Sequence, residues 1–351
     1  MKALRTQTAQ NVAEVIRACL DEVPFARVRE VVSQPDLNER PDLQIEVELP
    51  EGPRTLVVEA KRSGQPRLAR AAVNQLLRYV EGRPRAYGVF AAPYISSNGA
   101  DVCKAAAVGY VDLSGNCRLC FDNVYVERTG NPNEYARKRE LRSLYAPKAS
   151  RVVRVLLANP DKGWKVQELS DEADVSLGHA SNVKQRLEDR EWMVSGEQGL
   201  VVTAPEDLLS EWAGSYSYRD NEVEDYYCMA SVAGIEERLA AACEARGRRY
   251  ALTMFSGAVR LGVAAPYKRV FAYVEGDQRD IASEMGLKRV PGGANVSLLT
   301  PYDKGVFYGS EPYDGIYVSS AVQVFLDLNS FRGRGQEAAE DLLREVIQKQ
   351  W

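Results

Sequence analysis

The sequence predicts an α/β protein of several domains, and three observations lead to this fold class. At 351 residues the chain is too long to fold around one small hydrophobic core. Its first 130 residues alternate helical and extended patterns, whereas residues 150–212 have the spacing of three short helices and a hairpin. We therefore predict an α/β domain at 1–130, a basic linker at 131–149, a helical domain at 150–212 and an α+β domain at 213–351.

The elements of the first domain are predicted in the order α-β-β-β-α-β-α-β. Residues 6–22 carry apolar side chains at helical spacing, and "DLQIEVEL" alternates apolar and polar residues as a half-exposed strand does. A turn centred on Glu51 and Gly52 leads into the strand "RTLVVEAKRS". Pro66 opens a strong helix, and "AYGVFAAPYI", a short helix and further extended segments complete the sheet.

Two acids and a lysine are predicted to share one face of this sheet. Glu59 and Lys61 lie two residues apart in a strand and therefore point the same way. A turn at 51–52 pairs residues whose numbers sum to 103, which places Asp42 opposite Lys61. Gln44 then lies opposite Glu59, and Cβ separations of about 5–8 Å suit the sharing of one bound ion.

This residue set suits phosphodiester hydrolysis. Two carboxylates are ligands that Mg²⁺ or Mn²⁺ accepts, and such an ion keeps waters that can act as nucleophiles. The Lys61 ammonium can orient water and neutralise charge on a phosphate. Gln75 lies four residues before Tyr79, on the same face of the following helix, and can reach the same place.

"RPD", then "EAK" in the next strand, within an α-β-β-β-α-β order, resemble the PD-(D/E)XK restriction-endonuclease-like nucleases. The spacing of Gln75 and Tyr79 is similar to the Q-x-x-x-Y element of RecB-type branches. The resemblance implies a restriction-endonuclease-like core in which Asp42 and Glu59 bind the metal, Lys61 is catalytic and Gln75 supports it. It also implies a glutamate on the first helix, for which Glu14 is available, and a homodimer.

Two other interpretations of the first domain stay open. Its acids and lysine can form an ion-paired polar face of an ordinary α/β domain, or the domain can be an inactive relative that binds DNA.

Residues 150–212 predict a second DNA-binding element. Ser176 is a capping residue that opens a helix, in which Ala180, Val183 and Leu187 face inward. A hairpin follows. The outward polar side chains suit base edges and phosphates: His179, Ser181, Asn182, Lys184, Gln185 and Arg186.

This order of helix, helix, turn, helix and wing resembles a winged helix-turn-helix. His179 is the only histidine, and it fits a DNA contact better than a catalytic role, with a surface histidine of no function as the alternative. A winged helix can also bind protein, and this one has acids at Glu168, Asp171, Glu172 and Asp174.

The C-terminal segments "YALTMFSGAVRLG", "LLTPYDKGVFYG" and "GIYVSSAVQVFLDLNSF", after a winged helix, resemble antitoxins of abortive-infection type IV toxin–antitoxin systems. That resemblance implies a DNA-binding repressor with a toxin-like partner protein. Arg332 and Arg334, between glycines before a helix, suit either a phosphate contact or an ordinary helix surface.

Charge, cysteine spacing and hydropathy bear on DNA binding, on zinc binding and on the cellular location of the protein. The net charge is −4, yet residues 61–85 and 134–154 are locally basic, as DNA contacts or solvated helix faces are. Cys117 and Cys120 form a lone C-x-x-C without a second ligand pair, which favours plain thiols over zinc. No apolar run suits a membrane span or a signal peptide, so we expect a cytoplasmic protein.

The sequence thus predicts a DNA-binding protein whose endonuclease-like domain uses Mg²⁺ or Mn²⁺, targeted by a winged helix, in mobile-element or phage defence. The alternative is an antitoxin-like transcriptional repressor in which the nuclease fold is catalytically silent. A third interpretation is a scaffold that binds a partner protein through its C-terminal domain.

Overall fold

The computed structural model describes residues 2–33, 41–134 and 144–351. The chain divides into two compact units. Unit 1 comprises Met1–Glu140 and Leu187–Glu191, and unit 2 comprises Leu141–Arg186 and Trp192–Trp351. Within the described ranges, no helix is both long and apolar enough to cross a membrane.

Unit 1 contains a seven-stranded sheet whose strands lie side by side in chain order. The first three strands are antiparallel, the third, fourth and fifth are parallel, and the last two are again antiparallel. The predicted order is observed, with a closing hairpin. The elements are α1 Lys2–Leu20, β1 Arg27–Ser33, β2 Leu43–Glu48, β3 Arg54–Ala60, α2 Pro66–Val80, β4 Ala86–Ala92, α3 Ser97–Ala105, β5 Gly109–Asp112, β6 Cys117–Phe121 and β7 Val124–Arg128.

Helices cover both faces of this sheet. Alternate residues of β2 and β3, such as Ile45 and Val58, pack with Ile16 of α1 in one core. The opposite face packs under α2 and α3 in a second core, which includes Val57 and Leu76. Val57 is buried on the same face as Glu59, so the apolar residues of the β2–β3 hairpin lie on both faces of the sheet.

The register of the β2–β3 hairpin differs from the prediction by two residues. Leu43 pairs with Val58, so paired residue numbers sum to 101 instead of 103. The turn is centred on Pro50 and Glu51, and the Gly52 amide donates to the Leu49 carbonyl at 3.0 Å. Proline suits the second position of such a turn because its φ is already fixed. Gly52 follows at φ 107°, a backbone conformation that suits glycine.

The C-x-x-C pair lies on opposite sides of β6. Cys117 is buried with its Sγ 3.2 Å from the Sγ of Cys19, whereas Cys120 is exposed. A spacing of three residues in a strand puts two side chains on opposite faces, so these thiols cannot bind one metal together. The six cysteines are all free.

The first part of unit 2 contains three helices and a two-stranded hairpin, except that residues 187–189 at the end of the third helix are assigned to unit 1. The bounds are α4 Pro147–Ala158, α5 Val166–Glu172, α6 Leu177–Asp189, β8 Met193–Gly196 and β9 Gly199–Val202. Trp164 adds an isolated bridge to Leu200 beside the hairpin. Of the predicted linker at 131–149, positions 135–143 lie outside the described residues. Its last three residues are helical, because Pro147 opens α4.

The rest of unit 2 forms a mixed sheet in the order β13-β10-β14-β12-β11-β16-β15, with helices packed against it. The bounds are α7 Pro205–Ser215, β10 Glu222–Tyr227, α8 Val232–Ala245, β11 Tyr250–Thr253, α9 Met254–Arg260, β12 Val270–Val274, α10 Gln278–Glu284, β13 Lys288–Arg289, β14 Val296–Thr300, β15 Glu311–Tyr313, β16 Ile316–Val318, α11 Ala321–Asn329 and α12 Arg334–Leu342. Short 3₁₀ turns lie at Tyr218–Asp220 and Lys304–Phe307, and a π-helical turn at Leu343–Ile347.

Helix α4 is joined to this sheet region by a buried polar network. Arg154, only 2% exposed, donates to the Gln323 side chain at 2.6 Å, and its guanidinium lies 4.7 Å from the Trp212 ring centre. Gln323 donates in turn to Asp327 at 3.0 Å, and the Tyr216 hydroxyl donates to the same carboxylate at 2.6 Å. Burial raises the pKa of Asp327. Arg154 belongs to the second basic stretch, and its burial makes it neither a solvated nor a DNA-facing residue.

Candidate functional site

The acid–lysine site lies where β3 ends, on the face that α2 covers. Glu59 is almost fully buried, at 5% exposure, and Lys61 follows it with its side chain 26% exposed. Both point toward α2 because Val57, two residues earlier, packs into the core beneath that helix. The site is therefore partly covered by α2 and is not an open, solvated end of a strand.

A line of polar contacts runs from β3 to α2. The Lys61 ammonium donates to Glu59 Oε1 at 2.6 Å and to Gln75 Oε1 at 3.3 Å. The Gln75 amide donates to the Tyr79 hydroxyl at 2.7 Å, as their spacing of one helical turn allows. Three of the four predicted catalytic residues are thus in direct contact.

Asp42 reaches the same place through the backbone. Its Oδ2 accepts the Ala60 amide at 2.9 Å, between Glu59 and Lys61 in sequence. Continuing the observed pairing by one residue brings Asp42 level with Glu59, not with Lys61 as predicted. A two-residue shift keeps the same face, so Asp42 still lies on the side of Glu59.

This donor set fits a hard divalent cation of the Mg²⁺ type. Asp42 and Glu59 offer carboxylate oxygens on neighbouring strands, and the Ala60 amide holds the Asp42 side chain in place. In the part of the chain that the structure describes, no three or more acidic, histidine or cysteine residues gather as a metal cluster. Mg²⁺ commonly uses one or two carboxylates and keeps several waters, so two protein ligands suffice.

Glu14 does not join this group. It is exposed on α1, and its neighbours Val12 and Ile16 pack against the opposite face of the sheet. Glu14 is two residues from each of these buried side chains, and residues two apart in a helix point to nearly opposite sides. Glu14 therefore points toward solvent.

Sequence reasoning missed one buried acid at the same edge of the sheet. Asp112 ends β5 and accepts the amides of Ile95, Ser114 and Asn116 at 2.9–3.1 Å. Burial raises its pKa, while these hydrogen bonds oppose the shift. The segment "DLSGN" at the end of a strand could have indicated this role. An aspartate at the start of a turn commonly accepts hydrogen bonds from backbone amides of the residues that follow it. Asp112 thus joins two loops through its hydrogen bonds, and we assign it a structural role.

Four of the six predicted DNA-reading residues form an exposed stripe on α6. His179, Ser181, Asn182 and Gln185 are exposed, while Lys184 and Arg186 are half-buried. Ala180 and Val183 are fully buried on the other side of the helix, as predicted.

The start of α6 is capped as expected. The His179 amide donates to the Ser176 carbonyl at 2.9 Å, and the His179 Nδ1 lies 2.8 Å from the Ser176 hydroxyl. This contact occupies one ring nitrogen, and the ring remains exposed at the helix surface. The same hydroxyl accepts the His179 amide at 3.4 Å, so this serine–histidine contact belongs to the cap of the helix.

Several acids of the helical region are occupied by neighbours within unit 2. Glu172 accepts the Tyr308 hydroxyl at 3.0 Å. Asp174 pairs with Lys304 and with Arg151, and the Lys304 ammonium lowers the pKa of the Asp174 carboxyl. Their negative charge is therefore partly neutralised inside the protein.

The fold and the site define a mixed α/β protein with an acid–lysine site in unit 1 and a helical region with an exposed polar helix in unit 2. Residues 201–348 match the protein family described as "Transcriptional regulator, AbiEi antitoxin, Type IV TA system". The predicted resemblance of the C-terminal region to type IV antitoxins is thereby confirmed. The match begins within β9 and covers less than half of the 351 residues.

Comparison with solved structures gives two similar chains. "Structure of EndoMS in apo form" is 16% identical, with a TM-score of 0.22, covering 29% of this chain and 44% of that one. "Structure of EndoMS-dsDNA2 complex" is 18% identical, with a TM-score of 0.21, covering 29% and 42%. The chain thus spans less than half of either protein, and TM-scores of this size do not establish a common fold. No curated protein matches the chain.

Proposed function

We propose that the protein binds DNA and hydrolyses phosphodiester bonds with Mg²⁺ or Mn²⁺ at the Asp42–Glu59–Lys61 site of unit 1. The observation that carries this proposal is the contact of Lys61 with both Glu59 and Gln75, beside the Asp42 carboxylate. A restriction-endonuclease-like core in unit 1 and a winged helix-turn-helix formed by α4–α6 and the β8–β9 hairpin belong to the same proposal.

Each residue of the site has a distinct task in this reaction. Asp42 and Glu59 would hold the metal ion, which supplies an activated water and neutralises charge on the phosphate. Lys61 orients the attacking water and stabilises the negative charge that develops on the phosphate oxygens. Gln75 fixes the lysine side chain, and Tyr79 fixes the amide of Gln75. The half-buried position of Lys61 strengthens its electrostatic effect, because less water screens it.

The exposed stripe of α6 supports DNA binding. Its short polar side chains can donate to base edges and phosphates, and the buried opposite side keeps the helix rigid. The family match adds a DNA-linked and toxin–antitoxin context through the description of that family as transcriptional regulators. A homodimer would allow two strands to be cut, and mobile-element or phage defence suits this combination.

Plasmid cleavage tests the hydrolytic function. Supercoiled plasmid is incubated with wild-type protein and Mg²⁺ or Mn²⁺, and with the variants Lys61→Ala and Glu59→Gln. We expect wild-type nicking that EDTA abolishes, and a rate at least about 100-fold lower in both variants. Lys104→Ala, a surface lysine of α3 paired with Glu127, is the matched control and should cut at the wild-type rate.

Absence of cleavage of duplex and single-stranded DNA with either metal would overturn the hydrolytic function. The second candidate is a transcriptional repressor with a silent nuclease fold, which the match of residues 201–348 favours. In that case binding to a selected duplex should be unchanged by Glu59→Ala and by EDTA. Failure to retain DNA even at low salt would instead favour the protein-binding scaffold.

A further inference from the structure

A groove on unit 2 is formed by residues that have no part in the proposed hydrolysis or in the proposed DNA contacts of α6. It has a volume of about 520 Å³ and is lined by residues of two segments. The lining residues are Ser217, Tyr218, Arg219, Ser330, Phe331 and Arg332. Grooves of about 300–1,000 Å³ are typical of small-molecule sites.

The arginines of this groove differ from most of the others in the same region. Residues 213–351, which the structure describes completely, contain twelve arginines, and eight of these form ion pairs with carboxylates. Arg219 and Arg332 form none there, although both line the same concave surface. The six lining residues include no acid. The groove therefore presents two guanidinium groups whose charge no neighbouring carboxylate neutralises.

Aromatic rings supply the apolar part of the groove. The Tyr218 and Phe331 rings lie 6.1 Å apart, with 37° between their planes, and the Arg219 guanidinium lies 5.4 Å from the Tyr218 ring centre. The Ser330 hydroxyl accepts the Tyr218 amide at 3.2 Å and donates to the Asp327 carbonyl at 2.9 Å, which holds the two segments together. The groove is thus anchored to the buried network of unit 2.

We propose that this groove binds a nucleoside phosphate, with the phosphate on Arg219 and Arg332 and the apolar part of the ligand against the Tyr218–Phe331 ring pair. Planar guanidinium groups match phosphate oxygens in two-point contacts. Inorganic phosphate would occupy only a small part of about 520 Å³. The proposal does not depend on hydrolysis at Glu59 and Lys61.

Binding of the four common nucleoside diphosphates to the full chain tests the proposal. Isothermal titration is done in EDTA without DNA, so that no metal-dependent binding in unit 1 contributes. Adenosine and inorganic phosphate are titrated separately, as probes for the nucleoside and for a single phosphate group. We expect saturable binding of at least one diphosphate, tighter than either part alone.

Matched variants locate the binding. Arg219→Gln and Arg332→Gln should each weaken the diphosphate by roughly tenfold or more, because each loses a charged hydrogen-bonding partner. Arg238→Gln is the control, since Arg238 is an exposed arginine on α8 that also forms no ion pair within residues 213–351. Unchanged tryptophan fluorescence and thermal midpoint establish that the variants are folded.

Four results would overturn the proposal. They are no diphosphate binding, equal binding in all three variants, inorganic phosphate binding as tightly as any diphosphate, and displacement of the diphosphate by duplex DNA together with loss of DNA affinity in Arg219→Gln. The last result would make the groove part of a DNA-binding surface.

Discussion

Arg151 of α4 and Asp303 form a two-point ion pair that joins positions 152 residues apart. The Arg151 Nε and Nη2 atoms donate to the two Asp303 oxygens, each at 2.8 Å, with side-chain exposures of 14% and 8%. Asp303 also accepts the Gly305 amide at 2.8 Å, which orders the 3₁₀ turn that follows. The first helix of the helical region is therefore fixed to the sheet region of unit 2.

Arg151→Ala is expected to destabilise unit 2 by about 3 kcal/mol, because it leaves the nearly buried Asp303 carboxylate without its cation. Asp303→Ala should cost a similar amount, and the double variant should cost less than their sum. All four tryptophans, Trp164, Trp192, Trp212 and Trp351, lie in unit 2, so fluorescence in a urea titration reports its unfolding.

Arg344→Ala is the control for this measurement. Arg344 is 64% exposed and pairs with acids at the surface, so its loss should change stability by no more than about 0.5 kcal/mol. Strict additivity of the Arg151 and Asp303 substitutions would contradict a direct coupling between the two residues.

Metal binding in unit 1 can be measured without catalysis. Asp42→Asn and Glu59→Gln should each weaken Mn²⁺ by at least about tenfold, a loss comparable to one charged contact. Lys61→Met should not weaken it, because the ammonium competes with the cation for Glu59 Oε1. Electron paramagnetic resonance of free Mn²⁺ gives the affinities. Glu46→Gln, an exposed acid farther along β2, is the control. Equal affinity in all proteins would exclude the metal site.

The side of the sheet that each residue of β2 faces was predictable from the sequence, but the register of the β2–β3 hairpin was not. Alternation of apolar and polar residues states which side of the sheet each residue of β2 faces, and a shift of two residues leaves this pattern unchanged. Turn geometry decides between such registers, and Pro50 as the second turn residue selects the observed one. The contact of the Ala60 amide with Asp42 depends on that register and therefore could not be predicted.

Contacts between residues far apart in the sequence could not be predicted from local sequence patterns. Glu59, Lys61 and Gln75 were predictable as one group, since strand and helix periodicity align them. Nothing in the sequence around Arg154 indicates that its partner is Gln323, 169 residues away. A local excess of basic residues therefore predicted a solvated or DNA-facing surface where the structure has a buried network.

The α6 surface predicts how DNA specificity should change. Asn182→Ala removes an exposed amide that can read a base edge, so it should lower discrimination at one base pair by about 1–3 kcal/mol. Because the residue is uncharged, the slope of affinity against salt should stay the same. Selection from a random duplex pool, repeated with the variant, measures the loss of preference. Gln350→Ala, exposed near the C-terminus, should select the wild-type sequence. An unchanged preference in Asn182→Ala would remove this helix from base recognition.

Cys120 should be the thiol that reacts first with a disulfide reagent in the folded protein. It is exposed on β6, whereas burial raises the pKa of Cys103 and of Cys243 to about 12. Because the thiolate is the reacting species, those two buried thiols should react only as fast as the protein opens. Titration with Ellman's reagent should show one fast equivalent, followed by slow ones that urea accelerates. Cys120→Ser should remove the fast phase, and Cys103→Ser should keep it. A fast phase that survives Cys120→Ser would mean that another thiol is exposed in solution.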